Sequence, residues 1–331
     1  MKRRAFIAAS AAAIALPMPL GAQEQYDPGV SSATQALRVL LGAGDATASA
    51  SGGFTLNGKP YRGTFTRLSN GSVINTVPLE EYLYGVVPRE MSPSWPDAAM
   101  QAQAICARTY VLQRSAPGRA YDLVPSEADQ VYGGMSVESP AGRSAVDATA
   151  GSVLQFDTKF AQVMYSSCCG GHTEASSDAW GGAVFSYLNG VVCVHCTASP
   201  SYRWSHDVSR ASVASAFAQE ILPYGALQGF YVSASDASGR AKTVELRCEH
   251  GSAFVKGATF RSRVGSRVIP SLLITDIGPS ATSDDATSIK GGGLGHGVGL
   301  CQWGARGMAL EGSNSSQILQ FYFPGTTIGH D

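Results

Sequence analysis

The stretch SVINTVPLEEYLYGVVPREM, Ser72 to Met91, changes its periodicity halfway along, and that change decides the class of fold. Ser72–Val77 follows the Asn70-Gly71 turn signal and reads as a strand. From Leu79 onward the apolar residues Leu79, Tyr82, Leu83, Val86 and Val87 fall at helical spacing, and Pro88 is expected to stop that helix. Upstream, the segments Leu37–Leu41, Phe54–Leu56 and Tyr61–Arg67 are separated by Gly-Asp and Asn-Gly turn signals, which predicts a small antiparallel sheet. Downstream, Pro96 suits the first turn of a second helix reaching Arg114. Asp97 complements its N-terminus, and Ala102, Ile105, Thr109 and Leu112 share a buried face.

The remainder keeps this mixture. A helix is expected near Arg143–Ala150, a hairpin from Val153–Phe156 and Phe160–Tyr165, and a helix near Arg210–Glu220. A hairpin turned at Ser238-Gly239 pairs Phe230–Ser235 with Lys242–Arg247. Ser280–Ser288 reads as a surface loop, and helices at Gln302–Leu310 and Ser316–Phe323 end at Pro324-Gly325. There is no internal repeat and no long linker, so residues 37–328 read as one α+β composite unit of mixed antiparallel sheets and short helices, preceded by a polar segment at 23–36.

Charged residues are only 15% of the chain and the formal net charge is −1, which argues against nucleic acid as a partner. Lys2, Arg3 and Arg4 precede an apolar run from Ala5 to Leu16 and a small-residue stretch ending at Gly21-Ala22. This order predicts an export signal over residues 1–22, with RRAFI fitting a twin-arginine signal that carries folded protein. Seven cysteines, an odd number, cannot all be satisfied by disulfides.

Several residues could carry chemistry. Glu90 sits among Val86, Val87, Met91, Trp95 and Pro96, surroundings that disfavour a charged carboxylate and suit a general acid. The competing reading is a solvated carboxylate capping the next helix. Arg108, among small and apolar neighbours in mid-helix, is either paired or aimed at a site. Cys169-Gly-Gly-His172 and Cys193-Val-His195-Cys196 together have the ligand types and spacing of a tetrahedral zinc site, with a disulfide as rival. Cys168 cannot easily join the same tetrahedron, His195 is expected to point away, and Cys106, Cys248 and Cys301 read as ordinary buried thiols. The loop GLGHGVGLCQWGA, Gly293–Ala305, brings His296, Gln302 and Trp303 close in sequence, offering proton transfer or hydrogen bonding, amide pairing and a stacking surface. Trp180, Tyr202 and Trp204 are either sugar platforms or core.

Five separated runs, VPLEEYLYGVVPREM, WPDAAMQAQA, CGGHTE, WGG…YLNGV and GHGVGLCQWGA, resemble the stage II sporulation protein D / amidase-enhancer (SpoIID/LytB) family, over about residues 37–326. The resemblance implies an exported lytic transglycosylase, periplasmic or associated with the cell wall. Such an enzyme cleaves the MurNAc–GlcNAc bonds of peptidoglycan glycan strands and closes a 1,6-anhydro ring, on strands stripped of stem peptides. It implies Glu90 as the catalytic acid and base, and Arg108 as a catalytic partner in the following helix. Tyr202, His296, Gln302, Trp303 and the C-terminal Tyr322 would bind glycan. Some members carry zinc, so Cys169, His172, Cys193 and Cys196 are its expected ligands, in a structural role. Two rival readings remain: a non-catalytic glycan-binding partner that enhances a cell-wall amidase, and a hydrolase with zinc at the reacting centre.

Overall fold

The computed structural model describes residues 36–50, 52–114 and 119–330; the expected export signal and nearly all of the polar segment after it fall outside them. The fold is α+β. The stretch read as one unit resolves into two compact units, one comprising residues up to Met164 with Met308–Gln320 and Gly325 onward, the other Tyr165–Gly307 with Phe321–Pro324. No helix among the described residues is long and apolar enough to cross a membrane.

In the first unit Ser72–Pro78 is the central strand of an antiparallel sheet, flanked by Ala36–Ala43 and Thr64–Arg67. Ala46–Ala48, Phe54–Leu56 and Lys59–Tyr61 form a second sheet, and Ser152–Phe156 pairs with Lys159–Phe160 and with Thr327–His330 in a third. The hairpin turn after Phe156 puts both Asp157 and Thr158 at positive φ. The expected second hairpin strand is therefore short. Tyr165–Ser166 instead pairs in parallel with Leu300–Cys301 in the second unit.

The helical stripe of the opening stretch is two pieces rather than one. Leu79–Tyr84 ends at Gly85, where a Cβ would press within 2.6 Å of the Tyr132 ring. A separate turn, Val87–Glu90, then starts with Pro88. Proline thus opens a helical turn here instead of closing a helix, because its missing N–H is no loss at a first turn. Pro140–Asp147 starts three residues before the expected Arg143, since the Ser139 side chain accepts from the Gly142 N–H and Pro140 follows it.

Asp97–Arg114 is buried around its circumference from Ala102 to Leu112, not on one face. Alanines let its neighbours approach closely, and Thr109 and Arg108 direct their polar groups to partners in other segments. The Thr109 hydroxyl donates to the Ile105 carbonyl and accepts from the Leu154 N–H. Arg108, with no exposed side-chain area, grips Glu80 through two bonds of 2.7 Å and donates to the Ser152 and Val146 carbonyls. One guanidinium thereby joins three segments to the central helix. Glu80, from the first helical piece of the opening stretch, is the anion of this bridge.

The second unit holds two antiparallel sheets, Trp204–Ser209/Ala286–Gly291/Ile274–Pro279 and Leu227–Ser235/Ala241–Cys248/Gly251–Lys256, around a core of Phe217, Phe230, Val244, Leu246, Phe260 and Ile289. The expected helix at Arg210–Glu220 breaks at Phe217, whose backbone leaves the helical region. A second fully buried arginine organises the other end of this unit. Arg240 donates to the carbonyls of Cys169 (2.7 Å) and His172 (2.9 Å), and its Nε lies 3.5 Å from Glu174. Burial raises the Glu174 carboxyl to about 8; Arg240 pulls it down and Asp236 pushes it up. The buried Asp236 Oδ2 has no other donor among the described residues, and a protonated Glu174 supplies it.

Two outcomes follow from these anchors. Arg108→Met strands the Glu80 carboxylate and two carbonyls, so urea denaturation should show a loss of about 3–5 kcal/mol. A negligible change would mean that the bridge does not hold the fold. Glu174 keeps its proton in the fold to about pH 8 but releases it near 4.5 when unfolded, so it subtracts stability as pH rises between these values. Glu174→Gln, which keeps a neutral donor, should melt progressively higher than the parent from pH 5 to about 8. Parallel melting curves would show that no proton is held there.

Candidate functional site

Glu90 closes the turn Val87–Glu90, its N–H reaching the Val86 carbonyl at 3.2 Å. Val86 and Val87 are fully buried and Met91 nearly so, which fixes the backbone on both sides of a half-buried carboxylate. Its charge is felt by two phenols of the same unit: burial pushes Tyr82 and Tyr110 up, and Glu90 adds to the effect on both. Tyr110 donates to Asp129 (3.3 Å), which also takes a 2.6 Å bond from Arg114 and the Val124 N–H. Asp129 and Arg114 line an open cleft of about 510 Å³ with Arg119, Tyr121 and Asp122. Arg89 borders a smaller groove of about 320 Å³ with Lys59 and Tyr132. Arg108 has all three guanidinium nitrogens engaged in the bridge described above, the paired alternative of its sequence reading.

In the second unit the sulfurs of Cys169, Cys193, Cys196 and Cys301 lie within 4.8 Å of one another, all buried. Tetrahedral coordination at a Zn–S distance of about 2.3 Å puts sulfurs about 3.8 Å apart, so the group fits a four-thiolate zinc. The 3.6 Å between Cys169 and Cys196 is not a disulfide. Three of the four are the expected cysteines. The fourth is Cys301, read from sequence as an ordinary thiol, and not His172, whose Nδ1 faces the Thr173 carbonyl at 2.6 Å. Cys301 arrives on the short strand parallel to Tyr165–Ser166, and its sulfur accepts from the N–H groups of Cys169 (3.2 Å) and Gly304 (3.4 Å). Cys168 turns its backbone to Leu294, while its thiol lies beside those of Cys196 and Cys301. His195 packs edge-on against Phe321.

Tyr322, expected to bind glycan, is 2% exposed and sets its hydroxyl 3.1 Å from the Cys193 sulfur. Gly304 is required beside it, since a Cβ there would overlap that hydroxyl. Tyr322 therefore belongs to the surroundings of the sulfur group.

The glycine-rich loop is a packed junction. Gly292, Gly293 and Gly295 donate to the carbonyls of Leu273, Ser201 and Pro270, and the Gly293 carbonyl takes the Trp204 indole N–H at 3.0 Å. His296 Nδ1 accepts from the Val298 N–H, and burial lowers the ring to about 4, with Arg240 and Arg261 adding to the fall and a bond to the Tyr165 backbone opposing it. The imidazole is neutral at physiological pH and both nitrogens take backbone hydrogen bonds, which is the hydrogen-bonding alternative of its sequence reading. Gln302 is buried at the start of its helix. Trp303 remains half-buried with Arg306 over its ring, and Tyr202 lies under Arg203 near Gly171; these two keep ring surface for a ligand. Sequence reading missed Arg240, a lone arginine after a turn with nothing nearby to mark it.

A family model described as stage II sporulation protein (SpoIID) matches residues 68–156, the segment that carries Glu90 and Arg108. An uncharacterised protein of Brachyspira hyodysenteriae is 33% identical over 282 residues, covering 83% of this chain and 74% of that protein. The amidase enhancer of Bacillus subtilis is 30% identical, over 74% of this chain but only 40% of its own length. The stage II sporulation protein D of Bacillus subtilis is 29% identical over 84% of this chain and 81% of its own. Glu90 thus lies inside the matched segment and the likeness continues through the cysteine-bearing half: the chain belongs to the stage II sporulation protein D (SpoIID) family.

Proposed function

We propose that this chain is an exported lytic transglycosylase that cleaves the MurNAc–GlcNAc bonds of peptidoglycan glycan strands, with Glu90 as its acid and base. Family membership supports a cell-wall-related role. The observation that carries the finer reading is the position of Glu90, a half-buried carboxyl on a turn clamped by Val86, Val87 and Met91. In the proposed reaction the Glu90 carboxyl gives its proton to the glycosidic oxygen as the C1–O bond breaks. The resulting carboxylate then takes the proton of the muramoyl C6 hydroxyl, whose oxygen bonds to C1. One carboxyl is restored and no water is consumed, so no second carboxylate is needed. The half-buried rings of Trp303 and Tyr202 are proposed to stack on sugar.

Zinc fits the four sulfurs of Cys169, Cys193, Cys196 and Cys301. Four protein thiolates leave no open position on the ion, so its contribution would be to cross-link the loops carrying these residues rather than to activate water. The Tyr322 hydroxyl and the N–H donors at Cys301 would lie beside the thiolates and hold their orientation.

A second reading rests on the amidase enhancer among the relatives: a glycan-binding partner of a cell-wall amidase, without catalysis. Glu90→Gln separates the two. Mass spectrometry of digested glycan strands should show anhydromuramoyl ends falling by at least about a hundredfold, with glycan binding retained. Equal product from parent and variant removes Glu90 from the reaction, and absence of product from both favours the binding partner. For the metal, elemental analysis of the folded chain should give one zinc per molecule, lost in Cys301→Ser and kept in His172→Ala; the reverse pattern would restore His172 as the ligand.

A further inference from the structure

The outward face of the sheet Leu227–Ser235/Ala241–Cys248/Gly251–Lys256 has no part in the reaction above. Its inner face is apolar, with Phe230, Val244, Leu246, Ala253 and Val255 in the core. Its outer face carries Tyr231, 42% exposed, and Phe254, 64% exposed. Tyr231 lies directly opposite Glu245, and Glu245 directly opposite Phe254, so the two aromatics share one face with a single strand between them. Two strand spacings place them about 10 Å apart, the length of a disaccharide repeat.

The polar groups on this face are held in place before any ligand arrives. Glu245 takes two bonds from Arg247 (3.2 and 3.3 Å) and a third from the Ser252 hydroxyl at 2.7 Å. The Arg247 guanidinium stacks over Tyr231 at 4.5 Å. Lys256 lies opposite Thr243, two pairs along from Phe254. Rings with carboxylate, guanidinium and hydroxyl groups set between them are the complement of a sugar, whose C–H face stacks and whose rim donates and accepts. Two cations, Arg247 and Lys256, against the one carboxylate of Glu245 leave the face positive, complementary to the carboxylates of peptidoglycan, borne by muramic acid where stem peptides are removed and by the stem peptides where they remain. A protein partner fits less well, because the two rings are separated by paired charges and make no continuous apolar centre.

We propose that this face is an accessory binding surface for glycan strands, which holds the polymer on the second unit independently of the Glu90 turn. The proposal rests on the glycan-directed reading of the chain. It would let the enzyme stay on an insoluble substrate between cleavages.

The test uses the full chain in the Glu90→Gln background, so that the polymer is not cut during measurement, and purified insoluble peptidoglycan as the probe. Phe254→Ser and Tyr231→Ser should each weaken co-sedimentation about tenfold, with circular dichroism and zinc content unchanged. In the chain that retains Glu90, neither substitution should alter cleavage of a short soluble oligosaccharide. Unaltered sedimentation of both variants, no sedimentation of the parent, or a loss confined to binding of a cell-wall amidase would each overturn the proposal. If the parent makes no anhydro product yet Phe254→Ser still abolishes sedimentation, the enzymatic reading falls and the binding face stands.

Discussion

A buried guanidinium demands acceptors, and among the described residues the two largest fully buried side chains, Arg108 and Arg240, meet most of that demand with backbone carbonyls and a carboxyl group, Arg240 Nε alone making no hydrogen bond and lying 3.5 Å from Glu174. Arginine suits the task because its planar fork reaches several acceptors at once and it cannot escape burial by losing its proton. Each arginine turns one side chain into a junction between segments distant in sequence. Arg108 fixes the helix Asp97–Arg114 to Glu80, Val146 and Ser152. Arg240 fixes the carbonyls of Cys169 and His172, and so sets the path of the loop that delivers the first sulfur. Other residues are constrained in turn. Gly297 has to be glycine because a Cβ would run into the Arg240 guanidinium, and Glu174 has to be buried beside it.

The sulfur group imposes a related demand for close approach. Bringing four thiols together draws backbone against backbone, and the glycines mark where. Gly170 lies at positive φ with Gly292 and Gly293 so near that a Cβ would come within 2.8 Å of them, and Gly304 leaves room for the Tyr322 hydroxyl. The glycine-rich stretch before Cys301 is therefore a packing requirement of the second unit. Its donors and acceptors are directed at Leu273, Ser201, Pro270 and Trp204, leaving few for a ligand.

What could be read from sequence follows from how local each feature is. The strand Ser72–Pro78, the helix Asp97–Arg114, the hairpin after Phe230 and the two C-terminal helices were legible because periodicity and turn residues act within a few positions. The apolar surroundings of Glu90 were legible for the same reason, since Val86, Val87 and Met91 are its own neighbours in the chain. The sheet of Trp204–Ser209, Ala286–Gly291 and Ile274–Pro279 was not, because its strands come from far apart and none alternates clearly. The need for glycine at position 85 was hidden too, since it comes from the ring of Tyr132.

The metal-type centre shows where spacing arguments fail. A Cys-x-x-His pair suggests two ligands on one turn, but local spacing only limits which side chains could meet. Here the His172 ring satisfies itself on the adjacent carbonyl, while Cys301, more than a hundred residues from the other three cysteines, is carried in by a parallel strand pair with Tyr165–Ser166. A catalytic carboxyl needs one well-placed side chain and can be specified by a single turn. A four-sulfur group needs tertiary closure, and its fourth member becomes visible only once the glycines have let the loops come together.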